Sequence, residues 1–183
     1  MNTEKMEQGI KLFLEGMEVE DTNSQHLVDT PNRIVRAWGE SFLEGYSIDP
    51  RKALGKVFND NCSEMIVIKD IPFASMCIHH LLPFVGTAKI GYVPNGKIVG
   101  LSKLARVLDC FAKRLQIQER LTQQIAEIIM EILQPHGVGV VLEAEHMCMA
   151  LRGIKKPGSK TITSSLLGVF RTEQKARQEF LSF

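Results

Sequence analysis

The chain holds 183 residues, room for one ordinary domain with a short appendage and too few for two full-sized ones. Its 44% hydrophobic and 23% charged residues are the balance of a soluble globular protein and exclude a disordered or fibrous chain. A formal net charge of +1 gives no global reason to expect nucleic acid or an acidic membrane surface as partner, and no apolar run approaches the ~18–20 residues of a membrane span.

The opening residues, MNTEKMEQGIKLFLEG, carry acidic charges and lack the apolar run and small-residue cleavage site of a signal peptide. The expected location is the cytoplasm, where thiols stay reduced. Up to about residue 45 the pattern reads as helical. Ile10, Leu12, Phe13 and Met17 form an irregular apolar face, and Ile34, Val35, Trp38 and Phe42 recur at helical spacing. Pro31 suits a first helical turn, Thr30 is the candidate cap, and Gly45 is the expected stop. The expected division is an N-terminal helical segment over 1–60 and a catalytic domain over 61–183.

From Met65 the pattern changes. Met65-Ile66-Val67-Ile68 is a short β-branched run, and Phe84 to Val93 alternates before a turn at Pro94-Asn95-Gly96. Two helices follow. Leu104, Val107, Leu108, Phe111 and Leu115 mark the first, with Ser102 as candidate N-cap; Leu121, Ile125, Ile128, Ile129, Ile132 and Leu133 mark the second, which Pro135-His136-Gly137 ends. Val138–Leu142 and Thr161 to Phe170 read as two further strands. This order predicts an α+β fold, an antiparallel sheet with a helix pair on one face behind a helical N-terminal segment.

Charge is unevenly spread. Residues 1–85 hold 8 basic and 13 acidic side chains, net −5, whereas 86–171 hold 12 and 6, net +6. Such a basic half is either a solvated face or a site for a small polyanion such as a phosphate ester.

The four cysteines are not expected to form disulfides. Two of them neighbour histidines, in Cys77-Ile78-His79-His80 and in His146-Met147-Cys148. Cys-x-x-His lets a thiolate and an imidazole close on one ion from a turn, and His-x-Cys on a strand places both side chains on one face. Zinc suits this mixture of ligands. A closed structural site, or merely buried Cys and His, competes with a catalytic site. Five candidates for four positions favour the catalytic reading, because a catalytic zinc keeps one position for water. The economical assignment puts Cys77, His80 and Cys148 on the metal and leaves His79 and His146 to move protons. Spacing alone leaves the alternatives open.

Lys103 and Arg106 lie one turn apart where the first predicted helix opens, and Arg152 follows Cys148 by four residues, ahead of Lys155, Lys156 and Lys160. Cations so placed suit a substrate with a phosphate tail and a reacting centre at the metal. Gln118-Glu119 begins the second helix, where an acid is ordinary; a buried carboxylate there would also suit the paired N–H donors of a guanine edge.

Several segments together resemble one family. They are Asp70–Phe73, Ser75–Phe84, Gly100–Arg106, Gln116–Thr122, Glu143–Met149 and Arg152-Gly153, with Asp29-Thr30-Pro31-Asn32-Arg33 upstream. In this order they resemble GTP cyclohydrolase I over nearly the whole chain from about residue 10. The resemblance implies a tunnelling fold, assembled as a homodecamer of two five-fold rings with active sites between subunits. It also implies conversion of GTP and water to formate and 7,8-dihydroneopterin triphosphate, the entry to pterin and folate-type biosynthesis. Carried over by position, Cys77, His80 and Cys148 hold Zn2+, and water activated there attacks C8 of the guanine. His79 and His146 transfer protons during ring opening and deformylation. Glu119 with Gln118 anchors the guanine and ribose end. Ser102, Lys103, Arg106 and Arg152 meet the ribose and triphosphate, with Arg33 supplied by a neighbouring subunit. The family usually has Glu between the site Cys and the first His; this chain has Ile78, which removes a negative charge but no ligand.

Two other readings compete. A nitrile reductase of 7-deazaguanine metabolism would share the fold but needs a nicotinamide cofactor and a cysteine nucleophile. A non-catalytic zinc-stapled assembly protein would use four protein ligands and turn over nothing.

Overall fold

A computed structural model describes residues 1–18 and 21–183; Val19 and Glu20, inside the stretch read as helical, lie outside the described residues. The chain divides into two compact units, Met1–Glu44 and Gly45–Phe183.

In the first unit, α1 (Thr3–Met17) starts at Asn2, whose side chain accepts from the Lys5 N–H at 2.9 Å. α2 (Thr30–Ala37) buries Pro31 and Val35 and runs into one π-helical turn, Trp38–Phe42. Its N-cap is Asp29 and not Thr30. The Thr30 hydroxyl instead donates back to the His26 carbonyl at 3.4 Å, a local bond that competes with capping.

Residues 45–60, expected with the N-terminal segment, belong to the second unit. Gly45 donates its N–H to the Lys113 carbonyl at 3.0 Å, and a Cβ there would lie 2.3 Å from the Cys110 carbonyl oxygen, so only glycine fits. After α3 (Pro50–Ala53), Leu54 is fully buried in the core, and β1 (Val57–Asn59) pairs antiparallel with β4 (Lys97–Val99).

The main sheet has the order β5-β2-β3-β6-β7, from β2 (Ile66–Cys77), β3 (Pro83–Val93), β5 (Leu115–Gln116), β6 (Gly137–His146) and β7 (Lys160–Gly168). All pairs are antiparallel except β2 with β5. β2 extends well beyond the β-branched run seen in the sequence. A register shift between Ile68 and Ile71, with Asp70 at φ 57°, marks a bulge that interrupts the alternation. Pro72 is tolerated beyond it because β5 pairs only with Met76 and Cys77, leaving the rest of that side of β2 open.

Helices α4 (Leu101–Ala112) and α5 (Gln118–Leu133) pack on one face. Leu104, Leu108, Leu121, Ile125 and Ile129 meet Ile90, Val138, Val140 and Leu142 in the core. The expected α+β class and helix pair are therefore present. The N-cap of α4 is Gly100, and Ser102 sits inside the helix. Short helices α6 (Met147–Ala150) and α7 (Val169–Thr172) follow β6 and β7.

The sequence reading does not anticipate α8 (Gln174–Ser182). Its one buried side chain, Phe180, lies over Gly91 and Gly139, which pair directly across β3 and β6. Both glycines alternate with core residues, so they present bare backbone to the face opposite α4 and α5.

Candidate metal centre and surrounding site

Cys77 is the last residue of β2, and its N–H donates to the Leu82 carbonyl at 2.9 Å. The Cys77 carbonyl in turn accepts from Leu81 at 2.9 Å and from His80 at 3.4 Å. Leu81 takes a left-handed φ of 54° to complete the turn. This tight reversal folds His80 back over the strand end, with Nδ1 3.8 Å from Cys77 Sγ.

Cys148 arrives from the other side. β3 pairs with β6 so that Phe84 faces His146, bringing the end of β6 beside the turn that starts β3. β6 ends at His146, and Cys148 lies in the single turn of α6. A helical turn therefore brings Cys148 in, rather than the strand alternation expected from His-x-Cys.

The ligand atoms of Cys77, His80 and Cys148 all lie within 4.8 Å of one another. Ligands of a tetrahedral zinc, bonded at ~2.0–2.3 Å, sit roughly 3.3–3.8 Å apart, so a small closure completes three of four positions. Two thiols and an imidazole are also a donor set zinc takes readily. The trio fits a metal ion. Burial and the adjacent Cys77 push the Cys148 thiol up, while Arg152 works in the opposite direction.

Two histidines flank this trio. His79 is exposed, its Nδ1 also 3.8 Å from Cys77 Sγ. The His146 ring stacks on Phe84, centroids 4.6 Å apart and planes 2° from parallel. Its Nε2 lies 2.7 Å from Gln118 Oε1. Burial lowers the His146 pKa, and the nearby Glu119 carboxylate partly offsets this.

The start of α5 is held at the same end of the sheet by β5, whose Gln116 pairs with Cys77 and accepts from the Ile78 N–H at 3.0 Å. The next residues diverge sharply. Gln118 is 1% exposed, whereas Glu119 is exposed and lines an open groove of about 560 Å³ with Gln123, Glu127, Thr163 and Arg171.

The remaining expected residues lie elsewhere. Ser102 and Arg106 are exposed on α4, and Lys103 is half-buried there against Gly55. Arg152 is in the exposed turn after α6. Arg33 is on α2 in the first unit, 3.5 Å from Asp29. Phe84, Thr122 and Thr163 escaped the site reading. Phe84 and Thr122 lie within segments that carry the resemblance, but ring stacking and hydroxyl bonding between separate elements have no signature in spacing.

A mixed α+β fold that carries a Cys–His–Cys cluster able to hold a metal ion, and a groove edged by carboxylates, is the class of domain to which this chain belongs. A profile of the GTP cyclohydrolase I family matches residues 6–183. GTP cyclohydrolase 1 of Bacillus cytotoxicus and that of Bacillus mycoides are each 50% identical over 184 residues, an alignment covering 100% of this chain and 96% of theirs. A crystal structure of an archaeosine synthase QueF-like protein in the apo form matches with a TM-score of 0.48 and 15% identity, over 57% of this chain and 93% of that one. The chain belongs to the GTP cyclohydrolase I family and is an enzyme of that family. The sheet with a helix pair on one face is the α+β arrangement expected from the sequence, and family membership sets aside the nitrile reductase and zinc-staple readings. Among the described residues no helix is long and apolar enough to cross a membrane.

Proposed function

We propose that this chain converts GTP and water to formate and 7,8-dihydroneopterin triphosphate, with Zn2+ held by Cys77, His80 and Cys148. The observation that carries the reading is the convergence of those three ligand atoms within 4.8 Å of one another, in a chain of this family. A zinc ion there supplies Lewis-acid chemistry that makes water a nucleophile at neutral pH.

The chain's own groups handle protons and position the nucleotide. Both C–N bonds to C8 of the guanine must break, and each departing nitrogen takes a proton as formate carries C8 away. His146 and His79 are assigned these transfers, since both flank the ligands and neither belongs to the trio. Glu119 is assigned the guanine edge. An ionised carboxylate accepts two N–H bonds at once, and Glu119 opens onto a groove.

Ser102, Lys103, Arg106 and Arg152 are assigned to the ribose and triphosphate. Three of them ride on α4. The proposed assembly is the decamer, with Arg33 contributed by an adjacent subunit. The cytoplasm is the proposed location.

Incubation of zinc-loaded protein with GTP tests this reading. Formate and the reduced pterin triphosphate appear in equal amounts if it holds; intact GTP overturns it.

A further inference from the structure

The two ends of the Gln118 amide can be told apart by what surrounds them. One end lies 3.0 Å from the Thr161 carbonyl oxygen, 3.1 Å from the Leu142 carbonyl oxygen and 3.1 Å from Thr163 Oγ1. Two of these groups only accept, so this end is the NH2. Flipping the amide would press its oxygen against two carbonyl oxygens in a pocket with almost no access to water.

The hydroxyls close the assignment. Thr122 donates to the Gln118 backbone carbonyl at 2.7 Å, which spends its only hydrogen. Thr163, 2.6 Å from Thr122 Oγ1, must then donate to it, leaving Thr163 Oγ1 to accept from Gln118. Each donor in this ring finds an acceptor.

Gln118 Oε1 therefore points at His146 Nε2, 2.7 Å away. An amide oxygen only accepts, so Nε2 carries a hydrogen. In the neutral ring the lone pair is then on Nδ1, and stacking on Phe84 holds the ring plane.

We propose that Gln118 is a positioning residue that fixes His146 as the Nε2–H tautomer and makes Nδ1 the nitrogen that exchanges protons with the substrate. Its side chain is buried and hydrogen-bonded within the protein, so this proposal assigns it to the histidine and not, as the resemblance implied, to the nucleotide. This rests on the reading of His146 as a proton carrier.

The first test uses the unmodified, zinc-loaded protein labelled with 15N at histidine. Long-range 1H–15N correlation at alkaline pH, with the His146 signals identified by their loss in His146→Gln, reports the tautomer directly. The expected result is a protonated-type Nε2 and a lone-pair-type Nδ1; the reverse pattern overturns the proposal. The second test is Gln118→Met, close in length and without hydrogen bonds. It is expected to retain zinc and GTP affinity, to lose the tautomer preference, and to lower kcat by a part of the ~10²–10⁴-fold that a general acid–base contributes. Weakened GTP binding with kcat preserved would make Gln118 a substrate contact and overturn the proposal. Should that variant fail to fold, the spectrum of the unmodified protein decides alone. Undiminished formate release by His146→Ala would remove the proton-carrier reading while leaving the tautomer as found, so the two failures are distinguishable.

Discussion

His146 and Gln118, 28 residues apart in the chain, meet at 2.7 Å because β5 and β6 deliver their partners to the same end of the sheet. The contact ties His146 Nε2 to Gln118, and His146 is not one of the three residues whose ligand atoms converge. Replacing His146 by Ala is expected to leave zinc content at the level of the unmodified protein and to cut turnover by about 10²–10⁴-fold, the usual contribution of a general acid–base. Parallel metal analysis and formate assay check this. An unimpaired rate would take His146 out of the chemistry.

Cys148→Ala removes one of the three converging ligand atoms. Two remaining ligands bind zinc poorly, so metal content and formate release should fall together. Retention of full zinc occupancy in this variant would show that another group completes the centre.

Glu119→Gln preserves shape but turns one acceptor oxygen into a donor. Charged hydrogen bonds contribute roughly 1.5–3 kcal/mol, so kcat/KM for GTP should fall by about 10–10²-fold while zinc content stays unchanged. A kcat/KM equal to that of the unmodified protein would assign the guanine to another residue.

Ile78 is 38% exposed in the turn between two site residues, so a carboxylate there needs no burial. Ile78→Glu should leave folding intact and hold the cation more tightly, because a negative charge beside a divalent ion attracts it. Competition with a chelator measures the change; weaker zinc binding would contradict the electrostatic account of this position.

A Cβ on Gly139 would lie 2.6 Å from Phe180 Cε1. Gly139→Ala should therefore lower the melting temperature by displacing α8 from the sheet. In a Phe180→Ala background, where the ring is absent, the same substitution should cost much less. Equal losses in both backgrounds, at one protein concentration, would mean that the glycine serves some other purpose.

Much of this site was legible because its ligands sit in two short segments. Cys77 and His80 are three residues apart in a turn, and His146 and Cys148 two apart at a strand end. The local mechanism was harder to read. Cys148 reaches the cluster through α6, not through alternation along β6. Both helix caps were misplaced by one or two residues. Thr30 bonds backward to His26, and the backbone of Gly100 starts α4 where Ser102 looked suitable. The β-branched run marks strand β2 only as far as Ile68, since the bulge at Asp70 breaks the period that reveals a strand. The Gln118–His146 bond and the seat of Phe180 on Gly91 and Gly139 depend on strand pairing between distant segments. No periodicity within a single segment encodes such contacts, and α8 offers only one buried side chain to mark it.

The most direct measurement removes the metal from the protein with a chelator, quantifies it, and follows formate release from GTP as zinc is returned. Activity is expected to vanish with the metal and to recover in proportion to zinc bound, reaching its plateau at one ion per Cys77–His80–Cys148 trio. Formate release that persists in the metal-free protein, or zinc bound in full to a variant lacking two of these ligands, would contradict the account.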